Sequence, residues 1–156
     1  MLFSGSELVA ADVMTRNVAT VRPDTTLRQV ARVLASHRIS GVPVVDAAGG
    51  LVGMITEADL LKPDEARDWR HNEWLRKLGE GYDLAPEFMA AMQEINRPAS
   101  AVMQRNVVSV GETATLQEIA DLMAKNAIKR VPVLRDGKLV GVVSRFDLIL
   151  AIARSG

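Results

Sequence analysis

Two short stretches carry a hydroxyl and a carboxylate at the same spacing, Thr56-Glu57-Ala58-Asp59 and Ser144-Arg145-Phe146-Asp147. Each precedes an apolar run, which is the pattern of a helix capping box: the hydroxyl side chain at the N-cap and the acid three residues on each satisfy a backbone N–H. That reading explains the spacing without any ligand, at about 1 kcal/mol per cap. Bond-making chemistry has little to work with. There is no cysteine, hence no thiolate nucleophile, disulfide or zinc–thiolate site. No Gly-rich Walker-type loop, no His-x-x-x-His and no nucleophile beside an evident base can be found. His37 fits the end of a helix, favourable near its negative pole, and two histidines as far apart as His37 and His71 make no metal site. An enzyme, for example a nucleotide hydrolase, is the weakest of the functional readings.

The two stretches belong to a longer repetition. Val13-Met14-Thr15-Arg16-Asn17-Val18 returns 89 residues later as Val102-Met103-Gln104-Arg105-Asn106-Val107. The same offset relates Val21 to Val110, Thr26 to Thr115, Ala31 to Ala120, Ile39 to Ile128, and Val42-Pro43-Val44 to Val131-Pro132-Val133. It drops to 88 for Gly53/Gly141, Asp59/Asp147 and Leu60/Leu148, so one residue is lost between the strands. Met14 and Met103 occupy equivalent positions, which favours packing over function.

The elements that must position these residues read alike in both copies. Thr26-Leu27-Arg28-Gln29 and Thr115-Leu116-Gln117-Glu118 fit capping boxes. Apolar residues follow at Leu27, Val30, Ala31, Leu34 and at Leu116, Ile119, Ala120, Met123, the spacing of an amphipathic helix. Val42–Val45 and Leu51–Ile55 flank Asp46–Gly50, a hairpin; Asp136-Gly137 between two β-branched runs predicts a tight type I′ turn. Short helices are expected from Glu57 to Leu61 or beyond and from Arg145 to Ala153. Val18–Val21 and Val107–Val110 read as brief strands. The order is strand, helix, strand, strand, helix, twice: an α+β fold in which two small copies pack with pseudo-two-fold symmetry, because neither buries enough surface alone.

The expected division is 1–61 for the first repeat, 62–100 for a helical insertion and 101–156 for the second repeat. The insertion carries Trp69 and Trp74 among charges of alternating sign, then Pro86 before a face of Phe88, Met89, Met92 and Ile95. An ordered helical cover and a partner-binding or lid segment both fit it. Nineteen basic and nineteen acidic residues cancel, leaving no global field to attract nucleic acid. No apolar run approaches the roughly 20 residues that span a bilayer, and no secretory signal is evident. The expectation is a cytoplasmic protein without a nucleic-acid or membrane partner.

In order and in duplicate, these features resemble the CBS domain family, named after cystathionine β-synthase. The stretches that carry the likeness are Asp12-Val13-Met14-Thr15, His37 through Asp46, Gly53-Met54-Ile55-Thr56-Glu57-Ala58-Asp59 and Gly141-Val142-Val143-Ser144-Arg145-Phe146-Asp147. The insertion looks like that of bacterial members. The resemblance implies a Bateman module with two clefts for adenosine compounds: AMP, ADP, ATP, S-adenosylmethionine or nicotinamide dinucleotides such as NAD. It implies that the aspartate of Gly-x-x-Thr/Ser-x-x-Asp accepts from the ribose hydroxyls. Carried over by position, one cleft would combine Thr56 and Asp59 with Val107, Ser109, Ile128, Lys129, Arg130 and Pro132. The other would combine Ser144 and Asp147 with Val18, Thr20, Ile39, Ser40, Gly41 and Pro43. Lys129-Arg130 stands where the other copy has Ser40-Gly41, which points to the Asp59 cleft for a charged nucleotide. The same two cations could also lie along apolar surface with their heads in solvent.

Two functions follow as expectations. One is a non-enzymatic regulatory sensor whose nucleotide biases the copies' arrangement for an effector protein to read. The other is a ligand-free scaffold that homodimerises through the helices closing each copy.

Overall fold

A computed structural model describes residues 8–61 and 95–155. The helical reading of the insertion, with Trp69, Trp74 and Pro86, lies outside these residues. The described chain runs α1 (Ala10–Val13), α2 (Leu27–His37), β1 (Gly41–Val45), β2 (Leu51–Thr56), α3 (Glu57–Leu61), and a 3-10 turn (Ala99–Ala101). It continues through β3 (Val110–Gly111), α4 (Leu116–Asn126), β4 (Arg130–Arg135), β5 (Lys138–Ser144) and α5 (Arg145–Arg154).

It divides into two compact units, and they are not the two copies. One unit holds residues 8–18, 47–51 and 106–155; the other holds 19–46, 52–61 and 95–105. The segment leading into each copy thus packs into the unit that contains the other copy's hairpin.

In the first unit β3 runs parallel to β4, with Val110 opposite Val133, and β4 pairs antiparallel with β5, Val131 opposite Val143. Asp136 and Gly137 both have positive φ, 52° and 78°, as the Asp-Gly turn requires. The turn of the first hairpin belongs here too: Gly50 bridges Lys138, and the Leu139 N–H donates to the Gly49 carbonyl at 3.0 Å. The core is Leu116, Ile119, Met123, Val131, Val133, Val143, Leu148 and Ala151, completed by Ala10 and Met14 from the lead-in.

In the second unit β1 and β2 form a two-stranded sheet. The strand expected over Val18–Val21 reduces to a single parallel bridge, Val21 to Val44. Its equivalent in the other copy is the two-residue β3, at the end of the expected 107–110 run. With one or two residues in register, each edge strand gains too few ladder bonds to extend. The core is Val21, Val30, Leu34, Val42, Val44 and Ile55, completed by Ala99 and Met103 from the second lead-in.

Both long helices begin as their sequences predict. Thr26 Oγ1 accepts from the Gln29 N–H while Gln29 Oε1 accepts from the Thr26 N–H, and Thr115 with Glu118 does the same. Both end on a left-handed residue, Arg38 at φ 52° and Ala127 at φ 53°, positions where glycine is the usual choice. His37 closes α2, its Nδ1 3.0 Å from the Val33 carbonyl.

Candidate functional site

The two carboxylates singled out by the sequence sit at equivalent places. In α5, Ser144 is the N-cap: its Oγ accepts from the Asp147 N–H at 3.2 Å, and Asp147 Oδ2 accepts from the Ser144 N–H at 2.8 Å and its hydroxyl at 3.1 Å. At the start of α3, Asp59 Oδ2 accepts from the Thr56 N–H at 2.8 Å and its hydroxyl at 3.1 Å. The full capping box read from the spacing is therefore present at Ser144–Asp147, and its carboxylate half at Thr56–Asp59. All four residues are half-buried.

Each carboxylate also receives a donor that the sequence did not flag. Thr15 Oγ1 lies 3.2 Å from Asp147 Oδ1 and 3.3 Å from Oδ2. Gln104 Nε2 lies 3.1 Å from Asp59 Oδ1 and 3.3 Å from Oδ2. The backbones of the same two residues form one-residue antiparallel bridges, Thr15 to Val142 and Gln104 to Met54, each closed by two N–H···O bonds of 2.8–3.1 Å. The preceding methionines are buried and lie against glycines. A Cβ on Gly141 would come within 2.5 Å of Met14 Sδ and 3.0 Å of the Thr15 carbonyl; on Gly53, within 2.6 Å of Met103 Sδ and 3.1 Å of the Gln104 carbonyl. The glycine of each Gly-x-x-Thr/Ser-x-x-Asp stretch thus admits the lead-in, and the lead-in delivers its polar side chain to the aspartate. Thr15 and Gln104 share a repeat position, directly after a buried methionine; that was the available signal.

Within its own unit each copy brings the start of its hairpin to its carboxylate helix. The Ser40 carbonyl accepts from the Glu57 N–H at 2.9 Å, and the Lys129 carbonyl from the Arg145 N–H at 3.0 Å; Arg130 faces Ser144 across the β4–β5 pair. Gly41, Pro43 and Pro132 are buried; Ser40, Val18, Val107, Ser109, Ile128 and Arg130 are half-buried; Thr20, Ile39 and Lys129 are exposed. Among the described residues no polar or charged side chain is buried, so these sets lie at the rims of the units. No group of three or more His, Asp or Glu side chains among them is placed to hold a metal ion, and no described helix is long and apolar enough to cross a membrane. A shallow depression lined by Glu118, Asp121, Leu122 and Lys125 of α4 shares no residue with the predicted sets.

The family profile of the CBS domain matches twice, at residues 9–64 and 99–154. The chain belongs to the CBS domain family. It is a tandem CBS pair, a Bateman module, and both matches take in the lead-in segments. MJ1426, an uncharacterised protein of Methanocaldococcus jannaschii, is 35% identical over 96% of this chain and 94% of its own length. The CBS domain of a membrane protein from Sphaerobacter thermophilus superposes with a TM-score of 0.72 at 34% identity, over 96% of this chain and 90% of that one. CBSX2, a chloroplastic protein of Arabidopsis thaliana solved in complex with AMP, superposes with a TM-score of 0.70 at 26% identity, over 94% and 96%. These likenesses extend over nearly the whole chain and are to CBS-domain or uncharacterised proteins.

Proposed function

We propose that this CBS pair is a sensor that binds an adenosine-type nucleotide (AMP, ADP, ATP, NAD or S-adenosylmethionine) through Asp59 and Asp147, without catalysis. The observation that carries the reading is the duplicated carboxylate: each stands half-buried at the first turn of a helix, with acceptor capacity beyond its cap. The AMP complex of CBSX2 supports the ligand class. Lys129 and Arg130 are the cations proposed for phosphate groups. Occupancy shifts the population of the pair's conformations, and an effector protein reads the shift.

A thermal-shift panel of the five ligands on wild type, Asp59→Asn and Asp147→Asn tests this. A ligand at about 100 times its dissociation constant stabilises by roughly 2.7 kcal/mol, or about 5–10 °C for a chain of this size. Such a shift, absent in one aspartate variant whose unliganded melting point is near wild type, places the site. A flat panel removes the nucleotide reading.

A second reading, a homodimerising scaffold, has its own observation: Phe146 and Ile149, one turn apart on α5, are 63% and 58% exposed, apolar surface suited to a partner. Phe146→Glu would then convert dimer to monomer in sedimentation equilibrium.

A further inference from the structure

A carboxylate offers about four lone-pair positions, and here most are taken. At Asp147 the Ser144 N–H and hydroxyl occupy Oδ2, and the Thr15 hydroxyl occupies one position on Oδ1. At Asp59 the Thr56 N–H and hydroxyl occupy Oδ2, and the Gln104 amide occupies one position on Oδ1. One position stays open on each aspartate. A vicinal diol that donates both hydroxyls to one carboxylate needs two.

We propose that Thr15 and Gln104 are specificity-determining residues that compete with the ligand's diol, so that a ligand donating two hydroxyls displaces them and a ligand donating one binds beside them. The inference rests on the nucleotide reading above. Both side chains are exposed, so water takes over their hydrogen bonds once they swing away. Their backbones stay tied to Val142 and Met54, so the lead-in need not undock for its donor to yield. The competition therefore acts on the second hydroxyl alone. It sets how strongly each carboxylate distinguishes an intact ribose from one that lacks a hydroxyl.

Titration calorimetry with AMP and 2′-deoxy-AMP on wild type, Thr15→Val and Gln104→Met tests this. Both replacements keep size and remove the donor, and Thr15→Ser restores it. The expected result is AMP binding about tenfold tighter at the affected aspartate, the weight of one hydrogen bond to a charged group, with 2′-deoxy-AMP unchanged within about twofold. Thr15→Ser returns the ribose-to-deoxyribose ratio to the wild-type value. An unchanged ratio, or weaker AMP binding in the donorless variants, overturns the competition. If AMP binding survives in wild type and disappears in Asp59→Asn or Asp147→Asn while the ratio stays fixed, the competition alone falls. If neither nucleotide binds wild type or the donorless variants, it falls together with the reading of AMP as the ligand.

Discussion

The unit that holds Asp147 and the unit that holds Asp59 use the same device for packing and different groups at the rim. In both, a lead-in methionine lies over a glycine and its successor forms a one-residue bridge. In both, the hairpin follows an αL-capped helix. The rims diverge: a threonine hydroxyl against Asp147, a glutamine amide against Asp59; Lys129-Arg130 at the start of β4, Ser40-Gly41 at the start of β1. Interior positions tolerate little change in volume, whereas half-exposed polar positions can vary at small cost to stability. Two copies held to one packing plan were therefore free to drift where a ligand would touch them.

The largest effect should come from the methionines. Met14→Ala and Met103→Ala should each cost about 2–5 kcal/mol, with a crossed pattern. Met14→Ala should lower amide protection at Val131 and Val143, over a hundred residues away in sequence, before it touches Val42 and Ile55; Met103→Ala should do the reverse. Hydrogen exchange showing equal loss in both hairpins for either variant would break the division into two units. Next come Gly53→Ala and Gly141→Ala, each expected to cost about 1–3 kcal/mol in urea denaturation through crowding of the lead-in. A cost at one glycine only would show that one lead-in docks less tightly.

A smaller effect of opposite sign is expected at the helix ends. Arg38→Gly and Ala127→Gly should each stabilise by about 0.5–1 kcal/mol, because a side chain at positive φ is strained and glycine is not. Matching gains in the two units would confirm that the caps are equivalent.

The smallest effect concerns the Glu112–Arg135 ion pair of the Asp147 unit. Arg135 Nε and Nη2 donate to Glu112 at 2.6 and 2.7 Å, while Pro23 and Asp46 hold the matching positions in the other copy. The hydrogen bond from Arg135 holds the Glu112 carboxyl below the usual carboxylate range. Its contribution is therefore full above that range and lost as pH falls through the lowered value. Both groups are solvent-accessible, so the effect is slight. Melting curves from neutral to acid pH should show wild type and Glu112→Gln converging at the acid end; a constant gap would remove the ion pair as its cause.

Much of this was legible in the sequence because it is local. Capping boxes, helix faces and the Asp-Gly turn are set by neighbours within a few residues, and Thr26, Thr115, Asp136 and Gly137 stand as their patterns indicate. The candidate carboxylates were legible for the same reason. The exchange of lead-ins was not. A buried Met14 satisfies the pattern of either copy, since periodicity reports that a side chain is inside and not which strands cover it. Thr15 and Gln104 were hidden with it: their link to Asp147 and Asp59 spans 132 and 45 residues. The edge strands were overestimated because β-branched runs such as Val18–Val21 score as strand whether one residue pairs or four.

The crossing of lead-ins bears on how the chain is made. A ribosome releases Ala10 and Met14 well before the strand they cover, around Val142 and Val143, which emerges roughly 130 residues later, about 6–26 s at ordinary elongation rates. For that interval Ala10 and Met14 lack that strand, while Met103 reaches its own partner strand, already synthesised, as soon as it appears. The nascent protein should complete the Asp59 unit before the Asp147 unit, which waits to close on Met14.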